Sequence, residues 1–196
     1  MKKGFPLIGF LVGLALFFYF LFPQFGKTAD VTVSASISTS VSCSTSTTTT
    51  DFGALTTSSV HTSSPNITAT MSCNYASGCT LNVDDAGDTS NPGLYKSVAP
   101  TDLIDSQTAT LSAGTEGYGI QAATTANGSG GTLTLAGVYN KTGDNVGALN
   151  LAATALASST EPISSREVTI THKAAISGLN KAGSYADTIT YSCTGN

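Results

Sequence analysis

Past residue 30 the chain repeatedly places an apolar residue at every second position, with Ser or Thr between. Val31, Val33, Ala35, Ile37, Thr39, Val41 and Cys43 form one such set. A period of two is the pleat of a strand with one buried face, so a first long strand is expected up to Cys43. Ile67, Ala69, Met71 and Cys73 make a second set, and Cys79, Leu81 and Val83 open a third. Thr108 to Ser112, Gly119 to Thr125 and Thr132 to Leu135 read as strands, as do Val168, Ile170, His172 and Ala174. The last set is Tyr185, Asp187, Ile189, Tyr191 and Cys193. Residues 147–158 are dominated by Ala and Leu and fit either a short helical turn or a strand.

Turn chemistry separates these runs. Asn91-Pro92-Gly93 and Pro100 mark irregular connections, and Asn127-Gly128-Ser129-Gly130-Gly131 reads as a hairpin turn. The Thr/Ser run from Thr45 to Thr50 reads as an exposed loop leading to Asp51-Phe52-Gly53. Asp84-Asp85-Ala86-Gly87-Asp88 lacks the spacing and closing Glu of a calcium loop and reads as a solvated turn. The pattern predicts an all-β, antiparallel β-sandwich of about seven to nine strands over residues 30–196.

A different pattern precedes it. Lys2 and Lys3 lead into an apolar run from Phe5 to Phe22, interrupted only by Gly and one Pro. As a helix this run would span about 27 Å, near the roughly 30 Å hydrocarbon core of a bilayer. Residues 1–29 are therefore expected to be a hydrophobic helix serving as a cleaved signal peptide or a retained membrane anchor. Met1-Lys2-Lys3-Gly4-Phe5 is also similar to the start of type IV prepilins, but Gly9 stands where those proteins carry Glu. The implied compartment is outside the membrane, at the cell surface or extracellular, with residues 5–22 as the membrane contact if uncleaved.

Composition supports an exported β domain. Charged residues are only 10%, Trp is absent and Gly numbers 20. Thr suits strands, while Ser and Gly suit turns. The formal charge is −4, and Lys2, Lys3 and Lys27 are three of the eight basic residues, so residues 30–196 stand near −7. An acidic domain with no basic stripe excludes nucleic acid as a partner.

Four cysteines in an exported chain predict two disulfides. Cys43, Cys73, Cys79 and Cys193 each fall on the apolar parity of a strand, so each is expected to point inward. Cys43 and Cys73 lie on the first two long strands, expected to be antiparallel neighbours. Cys79 starts the third strand and Cys193 ends the last. In an immunoglobulin-type sandwich the third and sixth strands are also neighbours. The favoured pairs are Cys43–Cys73 and Cys79–Cys193; the rival is Cys73–Cys79 with Cys43–Cys193.

No motif for chemistry stands out. Lys141-Thr142-Gly143 is a fragment of a penicillin-recognising signature, but no Lys has Ser three residues before it. No Gly-x-Ser-x-Gly elbow is present. His61 lies in a Ser/Thr loop and His172 on an apolar strand parity, a spacing that makes no metal pattern with the cysteines. Neither a cofactor nor a metal is expected, and the chain is not read as an enzyme.

Two ends of the domain, roughly 41–83 and 182–193, carry a resemblance. Cys43, Phe52-Gly53 and a strand ending in Cys73 resemble the start of spore coat protein U-type and chaperone–usher fimbrial subunits. Ala182-Gly183-Ser184-Tyr185-Ala186-Asp187-Thr188-Ile189-Thr190-Tyr191 looks like their last strand. The resemblance implies a pilin-like, immunoglobulin-like subunit of a surface fibre or coat. Such a sandwich lacks its last strand, and a neighbour's N-terminal extension fills the gap. Val31, Val33, Ala35 and Ile37 have the alternation such a donor strand needs, although the same residues also suit the domain's own first strand, the favoured reading. The expected function is an exported, non-enzymatic structural protein (fibre, coat or adhesin subunit) assembling as a homo-oligomer by strand exchange. The alternative is a secreted or anchored binding module for glycan or protein.

Overall fold

The computed structural model describes residues 31–196; the expected N-terminal helix and its membrane contact lie outside the described residues. Every regular element described is a strand. Alternation decides where they form. Strands β3 (Ile67–Cys73) and β4 (Cys79–Asp85) bury every second residue, because Ile67, Ala69, Met71, Leu81 and Val83 share one pleat face with the cysteines. The 13-residue strand β13 (Ile163–Ala175) buries Val168, Ile170, His172 and Ala174 in the same way.

Among the described residues fourteen strands form, against the seven to nine expected, but only seven of them reach five residues. The long ones are β1 (Val41–Thr45), β3, β4, β8 (Gly117–Thr124), β12 (Thr154–Ser158), β13 and β14 (Ile189–Gly195). The surplus is short: β2 (His61–Thr62), β7 (Ala109–Thr110), β9 (Ser129–Gly130), β10 (Thr134–Leu135) and β11 (Asn145–Val146) have two residues each. Strands β5 (Gly93–Lys96) and β6 (Asp102–Asp105) pair with each other within residues 89–105, where irregular connections and short edge segments are expected.

Two antiparallel sheets carry the core. In the first, β13 pairs with β3 on one side and β8 on the other, and β1 extends the sheet beyond β3. In the second the order is β10-β12-β4-β14. One buried cluster takes Ile67, Met71, Ile120, Val168 and Ile170 from the first sheet and Leu81, Val83 and Leu156 from the second. Tyr118 and Tyr139 are its largest fully buried side chains. The Tyr139 hydroxyl meets Thr154 Oγ1 at 2.9 Å, giving its buried oxygen a partner.

Three expectations are corrected here. The first strand starts at Val41, ten residues later than expected, and Val31 to Ser40 are outside any strand. Asn127 to Gly131 is not a hairpin turn. It carries the chain from the first sheet, where β9 pairs with β13, to the second, where β10 pairs with β12. Arg166 holds this crossing by donating to the carbonyls of Asn127, Gly130 and Gly131, a long-range contact that turn chemistry alone does not encode.

The third correction is the cysteine pairing. The bonds are Cys43–Cys193 and Cys73–Cys79, with Cα atoms 5.9 and 6.5 Å apart. The favoured pairs do lie on neighbouring antiparallel strands, but each is two residues out of register. Cys43 faces Met71 across the ladder, not Cys73, and Cys193 faces Leu81, not Cys79. Such diagonal neighbours sit about 7–8 Å apart, beyond disulfide reach. Each cysteine instead bonds a partner in the other sheet, so both bonds join the two sheets. The inward parity also fails at one position: Cys73 and Cys79 are buried, but Cys43 is exposed on the edge strand β1.

Candidate functional site

The Cys43–Cys193 bond ties together the two strands that end their sheets, β1 and β14. Among the described residues, β1 pairs only with β3 and β14 only with β4. The loop after β1, at residues 48–52, and the chain leading into and along β14, at Tyr185, Ala186, Asp187, Ile189 and Tyr191, border a cleft of about 290 Å³. A wider cleft of about 640 Å³ shares Asp51, Phe52, Leu94 and Tyr185 with it.

One wall is the Thr/Ser run after β1. It is a loop, as expected, pinned where it meets the core. The Asp51 carboxylate accepts from the Gly53 amide at 3.0 Å, and Gly53 takes φ +66°, a left-handed conformation suited to glycine. Asp51 exchanges backbone hydrogen bonds with Ser64. Between these restraints Phe52 is turned onto Tyr118, edge to face, with ring centroids 6.2 Å apart. The Phe-Gly step thus anchors the wall to the floor.

The other wall is the chain entering β14. Alternation predicted a strand from Tyr185, but pairing with β4 begins at Ile189. Before that, Ala186 exchanges backbone hydrogen bonds with Tyr95. Tyr185 is held by its hydroxyl, which donates to the Asp102 carboxylate and lies 2.8 Å from the Lys181 carbonyl. Burial works against ionised Asp102, but hydrogen bonds from Tyr185, the Lys181 amide and Asn180 hold its carboxyl below the usual range.

The floor is apolar with a polar core: Ile67, Leu94 and Ile189 beside Tyr118, His172 and Tyr191. His172 is 2% exposed, and its ring stacks on Tyr118 with centroids 6.4 Å apart. Its Nδ1 has no hydrogen-bond partner, while Nε2 lies 3.4 Å from the Tyr191 hydroxyl. Burial pushes its pKa down to about 4, so the ring is neutral at neutral pH. Burial also raises the Tyr118 and Tyr191 phenols.

Two carboxyls stand at this floor, Asp187 lining it and Asp85 behind it. Asp85 ends β4 and is 2% exposed, so the expected solvated turn at 84–88 is corrected: its second residue is in the core. Asp85 pairs across the ladder with Ile189, which places Asp187, two residues earlier on the same parity, beside it. Neither Asp85 oxygen has a hydrogen-bond donor, nor does Asp187 Oδ2. Asp187 Oδ1 accepts from the Thr188 amide at 2.7 Å and the Gly87 amide at 3.4 Å. Burial, then the neighbouring Asp187, pushes Asp85 up to about 8, and burial raises Asp187 as well.

Alternation did contain a signal for this pair. Asp85 follows Cys79, Leu81 and Val83 on one parity, and Asp187 falls among Tyr185, Ile189 and Tyr191. A carboxyl on an inward parity is an anomaly that marks a site. The donor-strand residues Val31, Val33, Ala35 and Ile37 are all exposed and outside any strand.

Comparison of the chain with protein-family models, curated proteins and solved structures finds no match.

Proposed function

We propose that the two sheets are the halves of an immunoglobulin-like, pilin-like sandwich, and that the protein is an exported, non-enzymatic subunit of a surface fibre or coat. In this reading the cleft between the loop after β1 and the chain of β14 takes an extended segment from a second copy, namely Val31, Val33, Ala35 and Ile37. One observation carries the reading: the loop that follows the edge strand β1 and the chain of the edge strand β14 flank a cleft with Ile67, Leu94 and Ile189 on its floor. An added strand gains backbone hydrogen bonds from a free edge and places every second side chain on the floor. The exposed arm has that alternation, with Val31, Val33 and Ile37 each more than 80% exposed. Exposed alternating residues and an unpaired edge are both aggregation hazards unless something covers them, and each is a fit occupant for the other. Because donor and acceptor are different surfaces, repeated exchange gives an open, head-to-tail chain.

Concentration-dependent, SDS-resistant multimers that vanish when residues 31–37 are deleted would support this function. A strict monomer that binds a glycan on an array would replace it with the binding-module reading. That second reading draws on the wider cleft, where Asn180 and Lys181 lie beside Tyr185 and Phe52. N-terminal sequencing of the exported protein separates a cleaved subunit from an anchored one.

A further inference from the structure

Two carboxyls behind the floor of a strand-binding cleft need an explanation that the fold does not supply. Asp85 is almost wholly buried, and neither of its oxygens has a donor. Asp187 lines the cleft and keeps Oδ2 buried and unpartnered. Two ionised carboxylates side by side in an apolar setting repel each other and lose their hydration.

The surrounding groups offer no cation. From β8 comes the Tyr118 hydroxyl, which faces Asp187; from β14, Tyr191; and from β13, His172, neutral and stacked on Tyr118. From β5 the Gly93 amide is turned toward Asp85. Lys96 of that strand donates its ammonium to the carbonyls of Val98 and Pro100. In the turn after β4, Asp88 accepts from the Ser90 and Asn91 amides instead. Asp84 lies on the opposite pleat face of β4.

The groups that face the two carboxyls are therefore N–H and O–H donors and each other. The Gly87 and Thr188 amides, which donate to Asp187, and the Tyr118 hydroxyl that faces it suit a carboxyl that accepts, and they oppose a bound metal ion, which needs several more oxygens. What remains to neutralise the pair is a proton. One carboxyl, protonated, donates to the other, which satisfies an orphaned oxygen on each side.

We propose that Asp85 and Asp187 share one proton and that this proton keeps the cleft competent to seat an incoming strand. The inference rests on the strand-binding reading given above. A strand laid over the floor removes the last water from Asp187, so the pair must be singly charged or neutral when covered. Loss of the proton puts a second charge under the strand and favours its release. Burial and the neighbouring carboxyl hold the proton on the pair up to about pH 8, so the cleft is competent at neutral pH and closed to the strand in alkali.

The test uses the full chain and a labelled peptide of residues 30–40. Binding is measured by fluorescence anisotropy from about pH 6 to about pH 9, for the wild type, Asp85→Asn and Asp187→Asn. If only the protonated pair accepts the strand, apparent affinity falls about tenfold over that range. In both variants, where one amide donates permanently, affinity should stay level across it. Two variants at different positions guard against one that fails to fold, and circular dichroism checks each. Binding that is level with pH in the wild type overturns the shared proton and leaves the strand-binding reading standing. Equal pH dependence in wild type and variants does the same. Absence of peptide binding at every pH overturns both. A calcium-dependent rise in wild-type Tm that Asp85→Asn abolishes overturns the proton in favour of a cation.

Discussion

At the residue scale, the buried ionisable groups give the domain its expected pH profile. Asp85 has a folded pKa near 8, above its ordinary carboxyl value. Between those values the folded state holds a proton that the unfolded chain has lost. This contribution is full in acid and is lost as pH rises toward 8. Asp85→Asn should therefore raise Tm most at pH 8 and above, and flatten the decline from mildly acidic pH. Thermal unfolding followed by circular dichroism across pH measures it. His172 acts in the opposite sense. Its folded value near 4 lies below the ordinary one, so its contribution is present above pH 6.5 and is lost as pH falls toward 4. His172→Phe should remove that acid-side loss. For the apolar core, Ile170 is fully buried in the long central strand. Ile170→Ala should cost about 3 kcal/mol in denaturant unfolding, the sum of lost transfer energy and a cavity.

At the element scale, the disulfides and one turn distinguish the observed connections from the expected ones. Cys43–Cys193 closes a loop of 150 residues and Cys73–Cys79 one of 6. Chain entropy assigns about 5 kcal/mol to the first and about 2 to the second. Replacing each pair by Ala should give losses in that order, read from denaturant midpoints at unchanged slope. Peptide mapping without reduction should recover Cys73 and Cys79 in one short fragment. The turn between them depends on Gly78, whose φ is +77°. A Cβ there would lie 2.1 Å from the Ser159 carbonyl oxygen. Gly78→Ala should cost about 2 kcal/mol or more, because backbone strain and a backbone clash coincide. Much at this scale was legible beforehand. Strands β3, β4 and β13 formed where alternation placed them, because a half-buried strand carries its own burial pattern. The hairpin expected at Asn127 to Gly131 was not there. Glycines permit a turn, but Arg166, 35 residues on from Gly131, decides which sheet the chain enters.

At the scale of the whole molecule, the two sheets are bonded to each other twice by disulfides, yet a cleft lies between the loop after β1 and the chain of β14. Strand insertion at that seam would convert two edges into paired strands. Deleting residues 31–37 should therefore abolish multimers while leaving the Tm of the isolated domain unchanged, since these residues are exposed. Size-exclusion chromatography with light scattering, paired with thermal unfolding, reads both outcomes.

Alternation by itself determined that this domain is built of β-strands, where the principal ones run, and which residues face inward along most of them. Those properties are local, set by the pleat and by side-chain burial. Only the tertiary structure decided the cysteine partners, because bonding depends on register between strands and on which sheet each strand joins. Only it decided that the chain crosses sheets at Asn127 to Gly131, and that Asp85 and Asp187 meet behind the cleft. Each of those facts is a distance between residues far apart in sequence, and a period of two carries no information about such distances.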